Sequence, residues 1–275
     1  MAFNFNEKVA GEPSTLIVDS LNLAFRWKHQ GRTDFRYEFD KTIESLALSY
    51  KCKKVIITAD WGSSEYRKMI LPNYKQNRKE KFAEQSEEER IAFEEFFEEF
   101  EESLELLAEK YVVLRYKNVE ADDIAGYLVK YKDKFNLGKV WLISSDRDWD
   151  LLIGEDVSRF SYVTRKEVTL ENWDTHYNVT PEEYISLKCL TGDKGDNVPG
   201  ISGIGPKRAE ALIKEYGDAL EIYNCLPIQS SYKHIQALND SGDSLLRNYE
   251  LMDIITYCDQ AIGPDNVQDL ESRLG

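Results

Sequence analysis

Apolar and polar positions along the 275-residue chain fall into two rhythms. Short Val/Ile/Leu-rich runs at TLIVD (15–19), KVIITAD (54–60), YVVLRY (111–116) and KVWLISSD (139–146) read as buried parallel strands, which lack the alternation of a half-exposed sheet. Between them, FRYEFDKTIESLALSY (35–50) and EADDIAGYLVKYKDKF (120–135) carry apolar residues at helical spacing. This βαβ rhythm predicts an α/β fold on a mainly parallel sheet. RFSYVT (159–164) and KEVTL (166–170) predict a hairpin at one sheet edge. Beyond residue 180 strand signals end, and short helices separated by Gly and Pro take over.

One connection is too long to be ordinary. From Pro72 to Lys110 the chain runs far past the usual ~2–6 residues between elements. Its first part, NYKQNRKEKF (73–82), is basic and its second, SEEERIAFEEFFEEFEESLELL (86–107), is acidic. Phe93, Phe96, Phe97, Phe100, Leu104 and Leu107 form the stripe of an amphipathic helix. Ser86 with Glu89 fits a capping box at its start, and the glutamates are expected to form a solvated face.

Composition narrows the class. At 42% hydrophobic and 31% charged, the chain is that of a soluble globular protein. No apolar run approaches the ~18 residues of a membrane span. The N-terminus lacks a basic-then-apolar signal pattern, so residues 1–13 read as a polar lead-in and a cytoplasmic location is expected. Cys52, Cys189, Cys225 and Cys258 lack zinc-site spacing and do not form a disulfide framework. A net charge of −15 opposes nucleic-acid binding. That objection lapses if many acids share one site neutralised by metal ions while the bases cluster elsewhere.

The acids do fall into such a pattern. Asp19 closes the first strand, Asp60 the second, and Asp146 with Asp148 the fourth; Glu120, Asp122 and Asp123 open the helix after the third. Ligands of open α/β sheets collect beyond the carboxyl ends of the strands, so these side chains are expected to converge there. Like charges ~4 Å apart repel by ~1 kcal/mol even in water, and a helix N-terminus offers only about half a positive charge. Either several acids stay protonated or divalent cations sit among them, and all-oxygen ligands select Mg²⁺ or Mn²⁺. Asp193 and Asp196, in TGDKGDNVPG, can be read as two more ligands from a separate segment. Nine carboxylates suit two ions, and a two-metal site is suited to phosphodiester hydrolysis.

Within ten residues the same segment becomes GISGIGPKRAEALIKEYG (200–217). Gly203-Ile204-Gly205 makes a tight turn, Pro206 suits the first helical position, and Gly217 can end the helix. Amides at such a turn bind phosphate without reading bases, and Lys207 with Arg208 add counter-charge.

IVDSLN, TADWG, YRKMILPNYKQNRKEK, VEADDIAGYL, LISSDRDWDLL and TGDKGDNVPGISGIGPKRA together resemble the bacteriophage 5′-nucleases (5′→3′ exonuclease/flap endonuclease), related to the 5′-nuclease domain of bacterial DNA polymerase I. The match runs over residues 14–255, and with no polymerase attached the chain is expected to be a phage form acting in the host cytoplasm. The resemblance implies a PIN/resolvase-like sheet flanked by helices over 14–180, a helical arch over 73–110, and a helical domain over 181–275. The last would contain a helix–three-turn–helix motif at 190–217. It implies a monomer that hydrolyses DNA at single-strand/duplex junctions bearing a free 5′ end or flap, leaving a 5′-phosphate. Asp19, Asp60, Glu120, Asp122, Asp123, Asp146, Asp148, Asp193 and Asp196 would hold two Mg²⁺, replaceable by Mn²⁺. Asp146, Lys75 and Arg78 would act at the scissile phosphate, Tyr74 would stack on a base, and Lys79 and Lys81 are either DNA contacts or solvated charges. The turn at Gly203 and Gly205 would hold K⁺ on its carbonyls against a duplex phosphate.

Two departures from that family stand out: Ser20 where IVDG is commoner, and Arg147 inside the acidic motif where glycine is usual. Arg147 is expected either to weaken metal binding or to point outward to a DNA phosphate. A PIN-like ribonuclease would share the acidic cleft without needing the arch or the helix–three-turn–helix segment. A non-catalytic branched-DNA-binding protein would betray itself by a missing cleft acid, and none is missing.

Overall fold

The computed structural model describes residues 13–275, so the expected lead-in lies, Pro13 apart, outside the described residues. The α/β region comprises β1 (Ser14–Asp19), α1 (Ser20–Lys28), α2 (Arg36–Ser49), β2 (Lys54–Thr58), α3 (Glu65–Ile70), α4 (Gln76–Ala83), α5 (Glu87–Ala108), β3 (Val112–Leu114), α6 (Ala121–Lys130), β4 (Lys139–Ile143), β5 (Val157–Ser161) and β6 (Lys166–Val168). A 3₁₀ segment, Arg147–Leu152, follows β4. The sheet order is β3-β2-β1-β4-β5-β6, parallel through β5, with β6 antiparallel at the edge as the hairpin pattern predicts.

Strand side chains alternate between two cores. Leu16 and Val18 face α1, α2 and α5, while Ile17 and Ile56 face α6. Both faces are covered, which is why these strands read as continuous apolar runs. Because β1 lies between β2 and β4, the chain leaves β1 in opposite directions, and a crevice opens beyond the carboxyl ends of β1 and β4.

The long connection folds as a pair of helices. The Ser86–Glu89 capping box starts α5, whose Phe96, Phe100, Leu104 and Leu107 are buried, each contributing about 1.5–3 kcal/mol. The first turns of α5 and all of α4 bury nothing, so they rise clear of the sheet as an arch. Phe82 meets Phe93 edge-on at 5.4 Å between the two helices. The glutamates are not uniformly solvated: Glu99 is buried and accepts both backbone amides of Phe35 and Arg36 at 2.8 Å, at the start of α2. The positive end of α2 and the Arg36 guanidinium hold that charge.

Next come α7 (Pro181–Thr191), a two-residue ladder of β7 (Gly192–Asp193) and β8 (Val198–Pro199), α8 (Pro206–Tyr216), α9 (Ala219–Asn224), α10 (Lys233–Asn239), α11 (Gly242–Met252), α12 (Cys258–Ile262) and α13 (Pro264–Leu274). The ladder is a strand pair where only helices were expected. Helices α7 to α11 share one core. Helices α12 and α13 do not join it: Cys258, Ile262 and Leu270 pack on α6, covering the second face of the sheet. A side chain at Gly126 would place its Cβ 2.0 Å from the Ile254 carbonyl, so only glycine admits this approach.

Candidate metal centre and nucleic-acid interface

The predicted acids stand at the carboxyl ends of the strands and on the β7–β8 hairpin, several of them held by hydrogen-bond donors. Asp19 ends β1 and accepts the Ser144 hydroxyl at 2.7 Å and the Asn22 amide at 3.2 Å. Asp60 accepts the Ala121 amide at 2.6 Å, and Asp122 the Trp149 indole N–H at 2.6 Å. Asp146 caps the 3₁₀ segment, accepting the Asp148 amide at 2.9 Å. The β7–β8 hairpin brings in the remaining two, with Asp193 accepting the amides of Gly195 at 2.7 Å and Asp196 at 3.2 Å. Ser20 is satisfied in its buried position, its hydroxyl donating to the Thr58 carbonyl at 2.7 Å.

Four cations reach into these acids, two of which sequence reading missed. Arg67 of α3, 5% exposed, clasps Asp123 through two bonds of 2.6 and 2.8 Å and donates Nε–H to the Leu251 carbonyl at 2.9 Å. Both Asp123 oxygens are thus engaged by a guanidinium in this structure. Lys188 of α7 bridges Asp148 and Asp193, its Nζ hydrogen-bonding the first and lying 3.5 Å from the second. Lys75 Nζ lies 2.9 Å from Glu120 and 3.4 Å from Asp196, and Arg78 reaches Asp196 at 2.5 Å. Lys75 holds φ 55° at the start of α4, a left-handed conformation that costs a non-glycine residue on the order of 1 kcal/mol. Its amide bonds the Asp196 carbonyl at 2.9 Å, tying the foot of the arch to the hairpin.

Tyr74 is buried among Leu71, Val198, Leu251 and Met252, and its hydroxyl bonds Asp196 at 2.9 Å and Glu120 at 3.0 Å. In this structure the ring is enclosed, with no face open to solvent.

Electrostatics follow from burial and crowding. Burial, then the neighbouring Asp60 charge, pushes the Asp19 carboxyl up to about 8. Asp122 is driven well above the usual carboxylate range by burial and the charges of Asp146, Asp60 and Asp19. Burial takes Asp148 to about 6 despite Lys188. Burial also pulls Glu120 upward, yet Lys75 and Arg67 outweigh it and hold the carboxyl at about 2.

Among the described residues no three His, Cys, Asp or Glu side chains stand together as a ready-made ligand set. Lys75, Arg78 and Lys188 are instead paired with Glu120, Asp196, Asp148 and Asp193. The donor chemistry still fits hard divalent ions. Asp122, Asp148, Asp193 and Asp196 share with Arg67, Tyr74, Val198, Leu251, Met252 and Ile254 the lining of a small void of about 10 Å³, about the size of one water.

The residues expected to contact DNA stand outside this core. Lys79 and Lys81 are exposed on α4. Arg147 is exposed, forms no ion pair with Asp146 or Asp148, and lines a cleft of about 690 Å³ beside Asp146 and Lys188. Gly203 has φ 76° and Gly205 caps α8, as the turn pattern predicts. Lys207 is exposed, and Arg208 donates to the Gly203 carbonyl at 2.5 Å.

Comparison with known proteins converges on one family. The family models described as "5′-3′ exonuclease, N-terminal resolvase-like domain" and "5′-3′ exonuclease, C-terminal SAM fold" match residues 14–180 and 179–272. The flap endonuclease of Escherichia phage T5 is 43% identical over 257 residues, covering 93% of this chain and 88% of that one. Solved T5 structures, one with zinc bound and one a pseudo-enzyme–product complex with DNA and metal ions, superimpose with a TM-score of 0.91 at 42% identity. These comparisons cover 95% of this chain and 98% and 97% of the T5 chains. DNA polymerase I of Bacillus subtilis is 28% identical over 82% of this chain and 25% of its own length. The chain therefore belongs to the 5′-3′ exonuclease family of metal-dependent, structure-specific 5′ nucleases.

Proposed function

We propose that this nuclease cuts DNA where a 5′ flap or free 5′ end meets duplex, using two Mg²⁺ ions that Mn²⁺ can replace. The observation that carries this is that acids of the α/β body, Glu120 and Asp148, face the hairpin acids Asp196 and Asp193 closely enough for one lysine to bridge each pair. Asp19, Asp60, Glu120, Asp122, Asp146, Asp148, Asp193 and Asp196 would hold the ions, some through water, while Asp123 fixes Arg67. Ions held there would supply Lewis-acid activation of a water and charge stabilisation for phosphodiester hydrolysis.

The protein's own groups do the rest. Lys75 and Arg78, at the arch foot, are placed to move from Glu120 and Asp196 to the scissile phosphate. Lys79 and Lys81 line the way for the single strand, and Arg147 faces a backbone phosphate. Residues 14–180 form the catalytic domain with its arch at 73–110. Residues 181–275 form the helical domain, which grips duplex through amides at Gly203 and Gly205 and through Lys207 and Arg208. The Gly203 carbonyl that Arg208 engages is the natural oxygen for K⁺, so guanidinium and ion are alternatives there. The enzyme acts as a monomer in the cytoplasm of the host cell.

The test is cleavage of a 5′-labelled flap duplex in Mg²⁺, against EDTA and against Asp146→Asn. Metal-dependent cuts beside the junction, lost in the variant, support the reading. Tight binding with no cutting in either metal would make the protein a branched-DNA-binding scaffold instead.

A further inference from the structure

Two ammonium groups bridge the acids in matching ways. Lys75 joins Glu120 of the α/β body to Asp196 of the hairpin, and Lys188 joins Asp148 of the body to Asp193 of the hairpin. Their settings differ. Lys75 sits at the foot of α4, a helix that buries none of its own residues, with its amide tied to the Asp196 carbonyl. Lys188 lies in the last turn of α7, followed directly by Cys189 and Leu190, both fully buried, so its backbone is anchored and its side-chain torsions would carry it away. The space open to it is the cleft of about 690 Å³, which it lines with Asp146 and Arg147.

We propose that Lys188 is a positioning residue that occupies the Asp148–Asp193 pair in the DNA-free enzyme and so keeps a divalent ion from binding tightly at that end of the cleft. The inference rests on reading the cleft as a metal centre. An ion ligated by Asp148 and Asp193 must expel the ammonium or lie beside it. A doubly charged ion ~4 Å from an ammonium is disfavoured about thirtyfold even at the dielectric of water. Lys188 therefore weakens one site of the pair selectively and leaves the Asp19 and Asp60 end untouched. Once displaced, its ammonium faces the cleft, where the phosphate of a bound strand would accept it.

The decisive measurement is Mn²⁺ binding by electron paramagnetic resonance without DNA, comparing wild type, Lys188→Met and Lys188→Arg. Wild type should bind one ion more tightly than the second. Lys188→Met should tighten the second by at least about tenfold and leave the first unchanged, while Lys188→Arg, which keeps the charge, should stay near wild type. If wild type binds Mn²⁺ but Lys188→Met leaves the second affinity unchanged or weaker, the Lys188 proposal falls and the metal centre stands. If neither protein binds Mn²⁺, the metal-centre reading fails and takes the proposal with it. The wild-type protein gives a check independent of folding in the variant, by NMR of the Lys188 side-chain nitrogen during Mg²⁺ titration. That resonance should move with the weak binding phase; movement with the tight phase, or none at saturation, overturns the proposal.

Discussion

The Arg67–Asp123 pair offers a direct test of how the acids divide between structure and chemistry. Both partners are buried, at 5% and 1% exposure, and joined by two short bonds. Arg67→Met would leave the Asp123 charge without its partner and the Leu251 carbonyl without its donor. Breaking a buried ion pair from one side costs ~3–5 kcal/mol, and an orphaned carbonyl adds ~1–3 kcal/mol. That is a large share of the ~5–15 kcal/mol typical of a folded domain. Removing both partners as Arg67→Met/Asp123→Leu should recover about 2–3 kcal/mol relative to the sum of the single changes. Guanidinium unfolding in EDTA at neutral pH measures all three variants through their midpoints. The same proteins should keep the wild-type Mg²⁺-induced thermal shift wherever they remain folded, whereas Asp146→Asn should lose much of it. Additive single changes, or loss of the shift in Asp123→Leu, would return Asp123 to the ligand set and refute its structural role.

Three further outcomes are expected. Tyr74→Phe should cost about 2 kcal/mol in EDTA by denaturant unfolding, because Glu120 and Asp196 lose a donor; an exposed stacking tyrosine would show no loss. In EDTA the melting temperature should fall as pH rises through neutrality. Asp19, at about 8 when folded against 3.8 as its ordinary value, holds a proton that the unfolded chain releases across that window. Mg²⁺ should flatten that slope, and a melting temperature that climbs with pH in EDTA would contradict the burial argument. Changing Lys207 and Arg208 together to Gln should raise KM with little effect on kcat and reduce the salt slope of flap binding by about 2, as two lost phosphate contacts require.

How much the sequence revealed depended on how local the cause was. The parallel strands were legible because burial on both faces strips them of alternation, and the acids at their ends could be placed from strand position alone. The α5 stripe and its Ser86–Glu89 cap are likewise set by neighbours within one helix. Glu99 was not legible, since its partners Phe35 and Arg36 lie more than sixty positions away. The same holds for Tyr74: beside lysines and an arginine it reads as a base-stacking ring, and only the folded contacts with Val198 and Leu251 enclose it. The β7–β8 ladder is two residues per strand, too short for any period to register. Lys188 did leave a signal, as a lone lysine in the apolar run YISLKCL five positions before Asp193. Gly126, inside a good helix, likewise marks where the Ile254 backbone approaches.

A net charge of −15 and a polyanionic substrate are reconciled by where the cations stand. Arg67, Lys75, Arg78 and Lys188 are all spent on cleft acids, in order of exposure 5%, 12%, 58% and 11%. Arg67 is locked by two-point geometry and has no route out, so it belongs to the fold. The other three border the arch or the open cleft and hold acids that a divalent ion would hold more strongly. On the proposed reading, an ion bound among the carboxylates would neutralise them and free positive side chains toward the same space. The acidic surplus that argues against a DNA partner would then be what draws ions in, and the freed cations would turn the cleft toward phosphate.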